Sequence, residues 1–243
     1  MERTFSLIFF LVAFNLANGQ ANYRHEIYRS FISNDMSKWK SVIDEMHRQP
    51  NKSNSFLLEI INYQYGYIAW HIGKENFDEA KRYLELAEDN IEKLEQIGYN
   101  PSMVNSYKSA FNGFKIGLNK LKAPFLGPKS IEYAELSVKL NNENPCGFIQ
   151  MGNIQFYMPS AFGGSKQLAL EYYKTAEKLM EKNSSTIENN WNYINLLIVI
   201  AQAHTKIKDY KTAKEYYEKI LKIEPHFQWA KVEFETLKQK QEA

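Results

Sequence analysis

The residues with the greatest capacity for chemistry lie in the stretch YMPSAFGGSKQLALEYYKTAEKLM, from Tyr157 to Met180. Gly163, Gly164 and Ser165 precede a helical pattern, and a glycine-rich turn at a helix N-terminus can cradle a phosphate. The P-loop spacing G-x-x-x-x-G-K-[ST] is absent, however, and no strand pattern delivers the loop. The expectation is a structural turn, with Ser165 capping a helix that starts near Lys166. Gly127-Pro128-Lys129-Ser130 ends like a P-loop, but Pro128 interrupts it and no glycine stands at the required distance upstream. This string, too, is predicted to be a hairpin turn. His25, His47, His71, His204 and His226 are scattered, with no i, i+4 pair and no partnering cysteine, so no metal site is expected. His204 is expected inside a helical hairpin and the other four at the surface. Cys146 has no local nucleophile signature and no paired histidine, which predicts a packing role. Carboxylates interleave with lysines, the pattern of a solvated face rather than of a general acid and base. The expectation is a protein that is not an enzyme and takes no cofactor.

The ends and the charge narrow the class. Residues 1–19, MERTFSLIFFLVAFNLANG, place Arg3 before an apolar run from Phe5 to Phe14 and then the small-x-small triplet Ala17-Asn18-Gly19. That order predicts a secretory signal peptide cleaved after Gly19, hence a periplasmic or secreted protein. The run is short for a membrane span, which needs about 20 apolar residues. Thirty basic and 28 acidic residues give a net charge of +2. A charge so near zero gives no general grip on nucleic acid, and none is expected as a partner. A single cysteine makes an internal disulfide impossible, so stability must come from a core built from 16 Tyr, 15 Phe, 4 Trp and the aliphatic residues.

The elements that position these residues follow from an internal repeat. In LLIVIAQAHTKIKDYKTAKEYYEKILKIEP, Leu196 to Pro225, two amphipathic helices flank Lys208-Asp209-Tyr210. Ala213, Tyr217 and Ile220 share one face of the second helix, and Leu197, Ile200, Ala201 and His204 one face of the first. Upstream copies are predicted around Phe148, Met151 and Gly152 with Ala169, Tyr173 and Ala176, and around Phe114, Gly117 and Leu118 with Ser130, Ala134 and Ser137. A further copy pairs Tyr65 and Gly66 with Ala80, Leu84 and Ala87, with two extra residues in its turn and a stop at Gly98. The first copy holds Tyr28, Phe31, Trp39, Ile43 and Met46, with Trp39 where a small residue is expected. Period-two alternation is scarce. The reading is all-α: one domain over 20–243, of about five helical hairpins, with a polar closing helix from Trp229 to Glu242.

The C-terminal unit resembles the tetratricopeptide repeat, with Leu197, Ala201, His204, Ala213, Tyr217 and Pro225 at its pattern positions. That resemblance implies a right-handed superhelical solenoid. KAPFLGPKS from Lys122, the string from Glu143 to Glu181, and the C-terminal unit through KIEPHFQWAKVE together resemble a group of secreted tetratricopeptide proteins from Bacteroidetes-type bacteria. The Gly-Gly insertion is also faintly similar to periplasmic helical-repeat partners of substrate-binding transport systems. In tetratricopeptide arrays the first helices line a concave groove, which implies a protein or peptide partner. Helical spacing predicts Tyr63, Tyr67 and Trp70 in that groove, followed by Lys115, Asn119 and Lys122. Ile149, Asn153 and Phe156 would come next, and then Ile198, Gln202 and Thr205. Rings would supply area, amides would bond a peptide backbone and lysines would draw a carboxylate. Lys115 and Asn119 match two members of a chaperone-binding carboxylate clamp. Gln150, Asn195 and Val199 occupy the remaining clamp positions and break the match. The alternative expectation is a small-ligand or glycan-binding accessory of an uptake system, with Tyr67, Trp70 and Phe156 stacking on the ligand.

Overall fold

The structure, a computed structural model, describes residues 22–242, and the expected signal peptide lies outside them. Twelve helices follow one another among the described residues, with no strand. The first spans 22–33 (α1), followed by α2 (Met36–Arg48), α3 (Asn54–Gly73), α4 (Phe77–Gln96), α5 (Pro101–Leu118) and α6 (Ala123–Leu140). Then come α7 (Pro145–Tyr157), α8 (Lys166–Glu181), the single turn α9 (Ser184–Ile187), α10 (Trp191–Lys206), α11 (Tyr210–Ile223) and α12 (Gln228–Glu242). The pairs α1/α2, α3/α4, α5/α6, α7/α8 and α10/α11 are the five hairpins, and α12 closes the stack against α11. No described helix is long and apolar enough to cross a membrane.

Local chemistry sets the boundaries. Asp35, Ser53, Asn144, Ser165, Asn190 and Asp209 each cap a helix by accepting a backbone N–H of its first turn. Gly98, left-handed at φ 64°, ends α4 as expected. Three hairpins share one turn. Asn34, Glu75 and Lys208 take left-handed φ values of 57°, 58° and 64°, and the following residue donates its N–H to the carbonyl of Ser30, His71 or His204.

That shared turn corrects the repeat register. From His71 to Ala80 the count equals that from His204 to Ala213, so the α3/α4 turn carries no two-residue insertion. Ile68 therefore occupies the position of Ala201, and both are fully buried. Gly66 has another role, since a Cβ there would lie 2.7 Å from the Trp191 ring and 2.8 Å from the Trp39 ring. The missing side chain admits two indoles, which is how Trp39 fits where its counterparts are Ala80, Ala134, Ala169 and Ala213.

Two further expectations change. Residues 127–130 lie inside α6, and the turn sits earlier, at the 3-10 stretch Lys120–Lys122. Pro128 is tolerated there because it is exposed within the first two turns, where water can serve the carbonyl left without a donor. His71 is buried rather than superficial and His47 is half-buried. His204 is buried as expected, with Nδ1 2.9 Å from Asp209 Oδ2.

The stack also returns on itself. Phe31 of α1 packs against Trp191, Phe227 and Trp229, with ring centroids 5.8, 5.4 and 6.0 Å away. Tyr28 donates to Glu224 at 2.8 Å, and Arg24 reaches the carbonyls of Ser185, Thr186 and Glu188. The first and last hairpins thus share an aromatic core.

Candidate functional site

Four of the first helices converge on one narrow inner cleft whose enclosed space is about 20 Å³, room for a single water-sized group. Helix α3 supplies Asn62 and Tyr65, α5 Tyr107, and α7 Cys146, Ile149, Gln150 and Asn153. Helix α10 adds Asn192, Asn195, Leu196 and Val199, and α8 contributes Tyr173. On α7 and α10 the contributing residues follow i, i+3, i+4, i+7, one stripe of each helix facing inward. Asn62 and Asn195 are equivalent positions of two repeats in the corrected register.

No side chain carrying a formal charge at neutral pH lines the cleft, and five of its twelve lining residues are amides set among tyrosines and aliphatic side chains. Asn192 donates to Asn62 Oδ1 at 2.8 Å. Tyr173 donates its hydroxyl to Asn153 Oδ1 at 2.9 Å, while Asn153 Nδ2 lies 3.2 Å from Gln150 Oε1. Asn195 is half-exposed. Burial pushes the Tyr65, Tyr107 and Tyr173 hydroxyls above their ordinary pKa, so they stay protonated donors at neutral pH. Burial likewise pushes the Cys146 thiol up to about 12. A thiol so rarely ionised is a poor nucleophile, in keeping with its expected packing role. The cleft can hydrogen-bond a neutral polar group and pack a small apolar one.

Of the sequence-predicted groove residues, Ile149 and Asn153 line this cleft. Tyr63 and Tyr67 are buried instead, donating to Glu59 at 2.6 Å and to Glu79 at 3.1 Å, and Ile198 is wholly enclosed. The two-residue slip in α3 explains the tyrosines, because the equivalent of Asn195 is Asn62 and its inward neighbour is Tyr65. Trp70 is half-buried and donates from Nε1 to Asn34 Oδ1 at 3.2 Å, tying two hairpins together. Phe156 packs edge-on against Tyr157, and Gln202 and Thr205 are half-buried on α10 away from the cleft lining. Lys115, Asn119 and Lys122 line a separate depression with Lys81, Leu84, Glu85, Glu88 and Leu118. There Lys115 is neutralised by Glu88 at 2.5 Å, and Asn119 caps the 3-10 turn by accepting from Leu121. Reading the stripes without their register missed Asn62, Tyr65, Tyr107 and Asn192 as groove residues, whereas Gln150, Asn195 and Val199, set down as the positions that break the clamp, do line the cleft. The repeated asparagines at 62 and 195 were the available signal.

The Gly163-Gly164 loop is a tight turn. A 3-10 stretch, Ser160–Phe162, leads to Gly163 at φ 94°, and Ser165 accepts from the Leu168 N–H. A Cβ on Gly164 would fall 1.9 Å from the Met158 carbonyl oxygen, so the backbone itself fills the space a bound group would need.

Comparison with known proteins agrees with this architecture. The family described as the Fis1 C-terminal tetratricopeptide repeat matches residues 195–239, the fifth hairpin and most of α12. No curated protein sequence matches the chain. Among solved structures, the HusA haemophore from Porphyromonas gingivalis is similar with a TM-score of 0.62 at 17% identity, over 76% of this chain and 93% of that one. BtubC from P. vanneervenii has a TM-score of 0.40 at 13% identity, covering 80% of this chain and 74% of its own. Cut9-Hcn1 of the APC/C has 0.43 at 13%, over 90% and 43%. Repeat pattern, shared turns and matched hairpin agree: this is an all-helical chain of tetratricopeptide-like fold.

Proposed function

We propose that the chain is a non-enzymatic, exported scaffold of the Bacteroidetes-type secreted tetratricopeptide group, which docks a partner segment on its inner face. The observation that carries this reading is the uncharged amide cleft where α3, α5, α7 and α10 converge. Side-chain amides both donate and accept, which suits the backbone of an extended peptide. The enclosed space of about 20 Å³ admits no more than one small group of that peptide, and the flanking inner face takes the rest. Binding is rigid display, since packed hairpins preorganise the amides and reduce the ordering cost on association.

Affinity capture from an envelope and periplasmic extract tests this, with protein from Gln20 onward as bait beside a folded Asn153→Ala/Asn195→Ala variant. A protein retained by the parent and lost with the variant supports the scaffold. Equal retention by both would remove the cleft from the binding surface.

A second reading is a carrier of a small uncharged ligand such as a glycan. It draws on the cleft being walled by helices on several sides, and it requires the enclosed space of about 20 Å³ to widen before a sugar could enter. The likeness to a haemophore is one of fold alone. Native mass spectrometry of protein isolated from its source would show a defined added mass, lost with Asn153→Ala/Asn195→Ala.

A further inference from the structure

The four most exposed large apolar side chains of the described residues are Leu121, Phe162, Phe125 and Tyr157, at 83%, 77%, 76% and 72% exposure. Leu121 and Phe162 lie in the two irregular turns, Phe125 in the first turn of α6 and Tyr157 at the end of α7, so all four flank those turns. Three hairpins use the short shared turn, whereas α5/α6 and α7/α8 insert the 3-10 stretches Lys120–Lys122 and Ser160–Phe162. Helix α6 runs antiparallel to both α5 and α7, and α5 packs on α7, so the C-terminal ends of α5 and α7 emerge at one edge of the stack. The inserted turns therefore lie on the same edge.

Within these two segments the charge is one-sided, while Glu85 and Glu88 of α4 line the depression that Lys122 borders. Residues 119–130 hold Lys120, Lys122 and Lys129, residues 157–166 hold Lys166, and neither segment contains an Asp or Glu. Four lysines here, against a whole-chain net charge of +2, leave the rest of the chain net negative. Lys120, Lys122 and Lys129 are exposed and form no ion pair among the described residues. The apolar side chains are largely in water, and none of them lines either depression described above. Exposed apolar tips on an edge that also carries exposed lysines fit a fluid interface, where each apolar side chain enters the headgroup boundary and the ammonium groups meet phosphates.

We infer that this edge docks on an anionic phospholipid surface, through Leu121, Phe125, Tyr157 and Phe162 with Lys120, Lys122 and Lys129. The docking is peripheral and reversible, and it is independent of the inner cleft.

The test is vesicle co-sedimentation of the chain from Gln20, which keeps every described residue and omits the apolar run of 5–14. Vesicles of equal parts phosphatidylglycerol and phosphatidylcholine are compared with pure phosphatidylcholine. The parent is expected to bind the anionic vesicles preferentially, and added salt should weaken binding. Phe125→Ser/Phe162→Ser should reduce partitioning at least about tenfold. Lys120→Gln/Lys122→Gln should reduce it severalfold, and Asn153→Ala/Asn195→Ala should leave it unchanged. Far-UV circular dichroism confirms that each variant keeps its helices. A parent that ignores anionic vesicles overturns the inference, as does equal partitioning of parent and Phe125→Ser/Phe162→Ser. Sedimentation velocity supplies the remaining arm: a dimeric parent made monomeric by those serines, with vesicle binding unaltered, would assign the edge to a second copy instead.

Discussion

At the scale of single residues, glycine 66 shows how one missing side chain organises a core. Two indoles, Trp39 and Trp191, approach the Gly66 Cα from different hairpins, with Trp39 donating from Nε1 to the Tyr63 carbonyl at 3.0 Å. Gly66→Ala should destabilise the fold by about 1–3 kcal/mol through overpacking, despite alanine's better helix propensity. A urea midpoint equal to or above the parent's would contradict that packing. Histidines give a second residue-scale prediction. Burial lowers the pKa of His47, His71 and His204 below the ordinary value, so the unfolded chain binds protons more readily than the folded one. Stability is then full above the unfolded pKa of about 6.5 and declines as pH falls through it, levelling below the folded values. The urea midpoint should therefore fall between pH 7 and pH 6. His71→Leu should flatten that slope, because neither His71 ring nitrogen has a hydrogen-bond partner to lose among the described residues.

At the scale of elements, the helix pairs depend on small residues where they touch. Ala201 and Ala213 are fully buried on facing helices of the fifth hairpin. Ala201→Leu or Ala213→Leu should cost about 1–3 kcal/mol by overfilling that interface. Unchanged urea midpoints would place them elsewhere. The α7/α8 insertion makes a sharper prediction. Gly164→Ala sets a methyl group against the Met158 carbonyl rather than against a yielding side chain, so the turn must rebuild. The thermal midpoint should fall, and proteolysis should become faster at residues 158–165 than in the parent. Parental cleavage there would show that the turn has room.

At the scale of the molecule, the contact between first and last hairpins departs from a linear array. Repeat proteins whose units touch only neighbours can fray from either end. Here Phe31, Trp191, Phe227 and Trp229 join the ends, so fraying must break an aromatic core. Phe31→Ala should lower stability by about 3–5 kcal/mol and reduce the urea m-value, as the terminal hairpins unfold ahead of the centre. Fluorescence and circular dichroism would then report separate transitions, where the parent shows one. Coincident transitions with an unchanged m-value would mean that the closure adds no cooperativity.

Helical periodicity, most of the small residues at hairpin contacts and most of the turns were legible in the sequence, because each depends on neighbours within one or two helical turns. The turn expected at 127–130, which lies inside α6, was the exception among turns. The five hairpins, the Ser165 cap, the Gly98 stop and the burial of His204 follow from such local spacing. Register was harder. Gly66 reads locally as the small residue of a hairpin, and only the packed structure shows that Ile68 holds that place while Gly66 receives indoles from residues 27 and 125 positions away. The same slip sent Tyr63 to the groove in place of Tyr65, the equivalent of Ile198 in the corrected register. The inner cleft, the closure of the stack and the shared edge of the two inserted turns were decided by tertiary structure alone. Each joins residues that are far apart in the chain, where superhelical curvature rather than local spacing sets the neighbours.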